Sequence, residues 1–205
     1  MSEWRRGEGT AVEGPLMGVS LDLPGWVAPA VTSIGPLESD DARMGLVLDL
    51  ARTNVERSEG GPFAAAVFHR HSGELVAVGL NLVLATRAPV AHAEIVAIAL
   101  AGARLGTYAL DSAGPTELVT SCQPCAMCLG AVPWTGVSRL VCGARDEDAR
   151  AVGFDEGDKP ADWRGNLRRR GIEVVEDVLR AEAAEVLRAY ATAGGPIYNG
   201  MPGRG

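Results

Sequence analysis

The chain has 205 residues, 47% of them apolar and 22% charged, with 19 basic against 26 acidic side chains for a net charge of −7. That length and composition suit one globular domain with a tail and exclude a fibrous or largely disordered chain. The acidic balance disfavours a phosphate backbone as partner, and no apolar run approaches the roughly 20 residues needed to span a bilayer.

Residues 1–38 carry repeated Gly and Pro with little periodicity, and are expected to form an irregular arm with Leu21, Leu23 and Trp26 as anchors. Arg5 and Arg6 are not followed by an apolar run, which argues against a signal peptide and for a cytoplasmic protein. The four cysteines fit a reducing compartment better than a disulfide framework. Ser39 or Asp40 then caps a helix whose apolar positions Met44, Val47, Leu48, Ala51 and Val55 follow helical spacing up to Gly60-Gly61-Pro62. Residues 63–69 and 75–81 read as a hairpin, 92–105 as a helix and 117–121 as a short strand. Further on come a helix at 125–134, a strand at 140–144 and a short helix at 146–152. Arg168-Arg169-Arg170 is expected in a solvated turn before a strand at 172–176, and 180–193 closes the chain as an amphipathic helix. Strands alternating with helices after a hairpin predict an α/β domain over 39–205, with a mixed sheet of about five strands.

His92-Ala93-Glu94 and, some thirty residues later, Pro124-Cys125-Ala126-Met127-Cys128 carry the chemistry. One imidazole and two thiolates are three ligands of a type that suits zinc, one short of a closed tetrahedral site, which leaves a position for water. The i, i+3 spacing turns both sulfurs to one side of a helical turn, and Glu94 puts a carboxylate beside that water. The pattern predicts a hydrolytic deaminase. Cys122 would complete a closed structural site with His92, Cys125 and Cys128. Its place at the end of a predicted strand, across Pro124 from the helix, sets it with Cys142 among small buried residues.

Gly60-Gly61-Pro62-Phe63, Ala91-His92-Ala93-Glu94 and the segment from Thr120 to Ala131 resemble bacterial guanine deaminases, members of the cytidine-deaminase-like superfamily. The resemblance extends to Gly153-Phe154-Asp155-Glu156 and to the tail Pro196-Ile197-Tyr198-Asn199, and so covers roughly residues 40–200. It implies a three-layer α/β/α sandwich, a homodimer, and conversion of guanine to xanthine and ammonia. By the same resemblance Glu94 is the catalytic acid and base, and Glu156 carries a second proton. Asn81 and Asp155 meet the purine edge, Phe63 packs on the ring, and Tyr198 closes over the site from the tail near it. Each substrate contact has a plainer alternative: Asn81 capping a strand end, Phe63 in the core, Asp155 and Glu156 as solvated loop charges, Tyr198 as tail packing. Gln123 stands where the family commonly has Glu, a departure that bears on the charge balance at the zinc site.

Three rivals remain open from sequence. A nucleoside deaminase acting on guanosine or cytidine would use the same machinery with a roomier mouth. A tRNA adenosine deaminase would want a basic groove, against the net charge of −7. A non-catalytic zinc module would have no use for Glu94.

Overall fold

In the computed structural model, which describes residues 19–199, eight α-helices and five strands follow in the order α1 (Val27–Val31), α2 (Asp40–Glu56), β1 (Ala64–His69), β2 (Leu75–Leu80), α3 (Val83–Thr86), α4 (Ala93–Leu105), β3 (Thr116–Cys122), α5 (Ala126–Ala131), β4 (Arg139–Ala144), α6 (Asp146–Ala151), α7 (Trp163–Arg169), β5 (Glu173–Val175) and α8 (Arg180–Thr192). The strands form one mixed sheet in the order β2-β1-β3-β4-β5. β1 runs antiparallel to both β2 and β3, whereas β3, β4 and β5 are parallel. Among the described residues no helix is long and apolar enough to cross a membrane.

Strand alternation divides the core in two. Ala64, Ala66 and Phe68 of β1 face α2 and α8, together with Val119 and Val141. Ala65 and Val67 point the other way, with Leu118 and Leu140, onto α4, α5 and α7. Successive strand residues project to opposite faces, so a strand covered on both sides is buried throughout: β1 meets this with a nearly unbroken apolar run, whereas β3 also buries Thr116, Glu117, Thr120 and Ser121. The expected α/β/α sandwich is therefore the observed architecture.

Ser39 starts α2 by accepting from the Ala42 backbone N–H at 3.1 Å, a cap worth about 1 kcal/mol. At the opposite side of the sheet, Gly79 of β2 is what lets α4 lie close: a Cβ there would sit 2.1 Å from Ala93 O and 2.4 Å from Ala97 N. The first turn of α4 is thus pressed against the strand.

Two expectations change. Residues 125–134 are not one helix: α5 ends at Ala131, and Val132–Trp134, with Pro133 inside it, continues as a 3₁₀ turn. Arg168 and Arg169 do not lie in a turn but in the last turn of α7, where basic side chains are favoured. The first half of the expected arm, residues 1–18, lies outside the described residues. Its second half includes α1, and Leu21, Leu23 and Trp26 do pack against the core; Trp26 Nε1 also donates to Glu59 Oε2 at 2.8 Å.

One buried charge cluster ties the layers together. Glu117 of β3 has no exposed side-chain surface and pairs with Arg43 of α2 and with Arg139 Nη1 of β4 at 2.9 Å. Arg139 also grips Asp40 through two hydrogen bonds of 2.6 and 2.7 Å. Removing one member leaves a buried charge without its partner, which costs far more than the pair contributes. Glu117→Ala is therefore expected to lower stability by about 3–5 kcal/mol in urea unfolding.

Candidate active site

β2 runs into Asn81, a short α3, and then His92, whose extended backbone (φ −70°, ψ 155°) caps α4. Glu94 falls in the first turn of that helix and is buried. From the opposite direction, β3 emerges from the sheet at Cys122 and is held by Gln123 N donating to Ala144 O at 2.8 Å. Pro124 turns the chain and Cys125 caps α5, with Cys128 in its first turn. Two helix starts thereby face each other. The donor atoms of His92, Cys125 and Cys128 all lie within 4.8 Å of one another, and His92 Nδ1 is 3.4 Å from Cys125 Sγ.

These residues fit zinc. Two ligands at 2.0–2.3 Å in a tetrahedral shell stand about 3.4–3.8 Å apart, the scale of the spacing found here. One imidazole with two thiolates is a borderline-soft donor set. Cys122 is not part of the group; its thiol turns to Arg145 O at 3.6 Å. Among the described residues the closed four-ligand site is thus not formed. Cys142 sits in the core with no exposed surface, and burial pushes its thiol well up.

The charges at the site are pulled in opposite directions. A hydrogen bond from the Cys128 thiol lowers Cys125 to about 4 against its burial, with His92 adding to the effect. Cys128 moves the opposite way, because donating to Cys125 and burial both hold its proton. At His92 burial opposes the imidazolium, but bonding to Cys125 and its charge outweigh it and raise the value. Glu94 is raised, first by burial and then by the charge at Cys125. Glu156 is pushed up to about 8 by burial, with Lys159 opposing. Burial thus raises both carboxyls above the ordinary range, as suits groups that exchange protons.

A cavity of about 330 Å³ opens on this group. Its walls bring together every residue singled out from sequence: Phe63, Asn81, His92, Glu94, Cys125, Asp155, Glu156 and Tyr198, with Cys128 buried behind Cys125. Asn81 Oδ1 accepts from Val83 N at 3.3 Å, so the amide caps α3 while Nδ2 remains to donate. Asp155 is 60% exposed on its side chain and accepts from Gly157 N at 2.8 Å, shaping the turn that carries Glu156. Tyr198 reaches the cavity from this chain's own tail; its hydroxyl is buried and packs on Gly61.

Sequence reasoning gave no role to three residues that shape the cavity, two on its walls and one just outside it. Phe154 sits between Phe63 (ring centroids 4.9 Å apart), Tyr198 (5.3 Å) and Tyr190 (6.0 Å), and so ties tail to cavity. Asn199 clamps the 153–155 turn, accepting from Asp155 N at 2.9 Å and donating to Gly153 O at 3.0 Å. Lys159 is buried behind Glu156. A lone aromatic, amide or lysine in a Gly/Asp-rich stretch gives no periodic signal; only the tertiary contacts reveal it.

Gln123 resolves differently from its expected role. Its Nε2 donates to Glu176, which Arg164 also holds through two hydrogen bonds, and its Oε1 accepts from Asp146 N at 3.1 Å. The amide thus spends both its ends on α6 and the 176 segment, not on the metal group. Gln123→Glu would set a carboxylate against Glu176 and is expected to cost about 1–3 kcal/mol by thermal unfolding, largely recovered in the Gln123→Glu, Glu176→Gln pair.

With this geometry in place, comparison with known proteins is decisive for the family. Residues 37–144 match the cytidine and deoxycytidylate deaminase zinc-binding region. The chain is 40% identical over 121 residues to a guanine deaminase of Bacillus subtilis, covering 56% of this chain and 74% of that protein. It superposes on a guanine deaminase from Nitrosomonas europaea with a TM-score of 0.81 at 47% identity, over 85% of this chain and 97% of the other. A structure of NE0047 in complex with 2,6-diaminopurine gives a TM-score of 0.83 at 48% identity, over 89% and 97% of the two chains. The chain belongs to the cytidine and deoxycytidylate deaminase zinc-binding family.

Proposed function

We propose that this protein is a zinc-dependent aminohydrolase that converts guanine and water to xanthine and ammonia. The observation that carries the proposal is the pairing of two buried carboxyls, Glu94 and Glu156, with the His92, Cys125 and Cys128 group in one small cavity covered by Tyr198. The likeness to guanine deaminases, and to a relative solved with a 2,6-diaminopurine ligand, supports the choice of base.

His92, Cys125 and Cys128 would hold the zinc, which when bound supplies the acidity that makes water a nucleophile at neutral pH. Glu94 takes the proton that water gives up and passes it to a ring nitrogen beside C2, as the water oxygen bonds to C2. Glu156, positioned by the turn through Asp155, brings the second proton to the exocyclic amine. The C2–N bond then breaks, ammonia leaves, and the hydroxyl proton at C2 passes to the Glu156 carboxylate, leaving the xanthine carbonyl. Asn81 Nδ2 donates to an acceptor on the purine edge, and Phe63 with Phe154 bounds the ring plane. The Asp155 carboxylate on the cavity wall, facing N1–H and the amine, selects guanine over adenine, whose N1 is an acceptor and would leave that carboxylate unpaired. Tyr198 over the cavity leaves a free base room and crowds a ribose. Residues 39–205 make up this deaminase domain, and Leu21, Leu23 and Trp26 ahead of them pack on it outside the cavity. A cytoplasmic homodimer is the form expected; Tyr108 and Trp134, 92% and 81% exposed, are surface that a second copy would cover.

Two outcomes are expected. The zinc-loaded protein should release ammonia from guanine but not from adenine, cytosine, cytidine or guanosine, and Glu94→Gln should slow guanine turnover by at least about 100-fold at unchanged zinc content. Turnover of guanosine at a comparable rate would overturn the role given to Tyr198. In Gly61→Ala the new Cβ would lie 2.0 Å from the Tyr198 hydroxyl, so the Tyr198 side chain must shift from its place over the cavity. The Michaelis constant for guanine should then rise roughly tenfold with zinc still bound.

A further inference from the structure

Lys159 lies just outside the cavity, with only 8% of its side chain exposed. Its Nζ donates to Pro124 O at 2.8 Å, stands 2.6 Å from Asp146 Oδ1, and is 3.8 Å from Glu156 Oε2. A lysine is seldom withdrawn from water unless its partners replace the lost hydration. Here they come from three different segments: the residue before the ligand Cys125, the first residue of α6, and the turn that carries Glu156. Two further contacts stitch the same segments together, Ala126 N to Glu156 O at 2.9 Å and Arg150 Nη2 to Gly157 O at 2.6 Å. Those two fix the backbone of the turn. Among the described residues, Lys159 is the cation paired with the Glu156 carboxylate itself.

Resting on the deamination proposed for this site, we propose that Lys159 is a positioning residue. Its ammonium fixes the direction in which the Glu156 carboxyl faces and its separation from the Cys125 turn. Lys159 does not touch the substrate; it acts on the reaction through Glu156, while its bonds to Pro124 O and Asp146 keep the ammonium itself in place. Misplacing a reacting group by about 1 Å costs on the order of 100-fold in rate, so this support has a measurable consequence.

The test is a double-mutant cycle on guanine deamination, with zinc content and melting temperature recorded for every variant. Lys159→Met in the wild-type background should lower kcat by about 10–100-fold, with the Michaelis constant changed by less than about threefold. In the Glu156→Gln background the same substitution should change the residual kcat by less than about threefold, because its effect is routed through the missing carboxylate. Lys159→Gln, which keeps a donor for Pro124 O but no charge, carries the cycle if the Met variant does not fold, with the same expectation. Equal losses in both backgrounds, no loss in the wild type, or a loss matched by falling zinc content would each overturn the positioning role while leaving the deaminase intact. A wild-type protein inactive on guanine would overturn the reaction itself, and the role of Lys159 with it.

Discussion

His92 and Cys125 are separated by a hairpin-to-sheet crossover in sequence and by 3.4 Å in space, and holding them there organises the rest of the molecule. His92 arrives on a helix lying across β1 and β2, while Cys125 arrives from the end of the buried strand β3. Both must reach the same end of the sheet. The antiparallel pairing of β1 with β3 brings the start of β1 beside the end of β3, as Ala65 opposite Thr120 shows. Gly79 brings α4 down onto β2 by the last fraction of distance. An L side chain at that position would hold the helix start, and His92 and Glu94 with it, away from the thiolates. The glycine is thus as much a part of the metal site as its ligands, although it touches none of them.

Charge is distributed by the same logic. At one end of the sheet Arg43, Glu117 and Arg139, with the partly exposed Asp40, neutralise each other. At the active-site end Glu94 and Glu156 are buried with much less compensation: both are raised, mainly by burial. The first arrangement gives cohesion, since each charge has its partner. The second keeps acids in a state where they can exchange protons, which a full set of ion pairs would abolish. Lys159 stands between the two regimes. It is near enough to orient Glu156 but, at 3.8 Å, not close enough to lock it as a tight ion pair.

What was legible in the sequence follows from the range of the interactions involved. The metal ligands and Glu94 are set by local spacing on two helix starts, so the linear pattern already contains their relative placement. The strands from β1 to β4 and α2, α4 and α8 are long enough for their apolar periodicity to show. α7 was not, because Gly165 lies within it and Pro160 just before, and its start is set by Asp162 accepting from Gly165 N at 3.1 Å. Phe154, Lys159 and Asn199 depend on partners far away in sequence, Phe63 in the case of Phe154, and no local signal marks a residue whose value comes from where another segment ends up. Asp155 shows the intermediate case: sequence placed it at the cavity, while its carboxylate serves the backbone of its own turn.

Gln123 shows how a departure from a family pattern is absorbed. Its neighbour in the chain is Pro124, next to a metal ligand, so sequence proximity suggested an electrostatic effect on zinc. The side chain instead points across β4 to Glu176, and Glu176 is already held by Arg164 on α7. A carboxylate at 123 would need a donor where this chain supplies an acceptor; an amide supplies the donor and still accepts from Asp146 N. Position 123 is therefore coupled to 164 and 176, and the three form a neutral-anion-cation row in which each hydrogen bond has a proper donor and acceptor. The substitution changes how α6 and α7 are fastened to the sheet. It leaves the charge that the metal group experiences to His92, Cys125, Cys128 and Glu94, the residues that the deamination chemistry needs there.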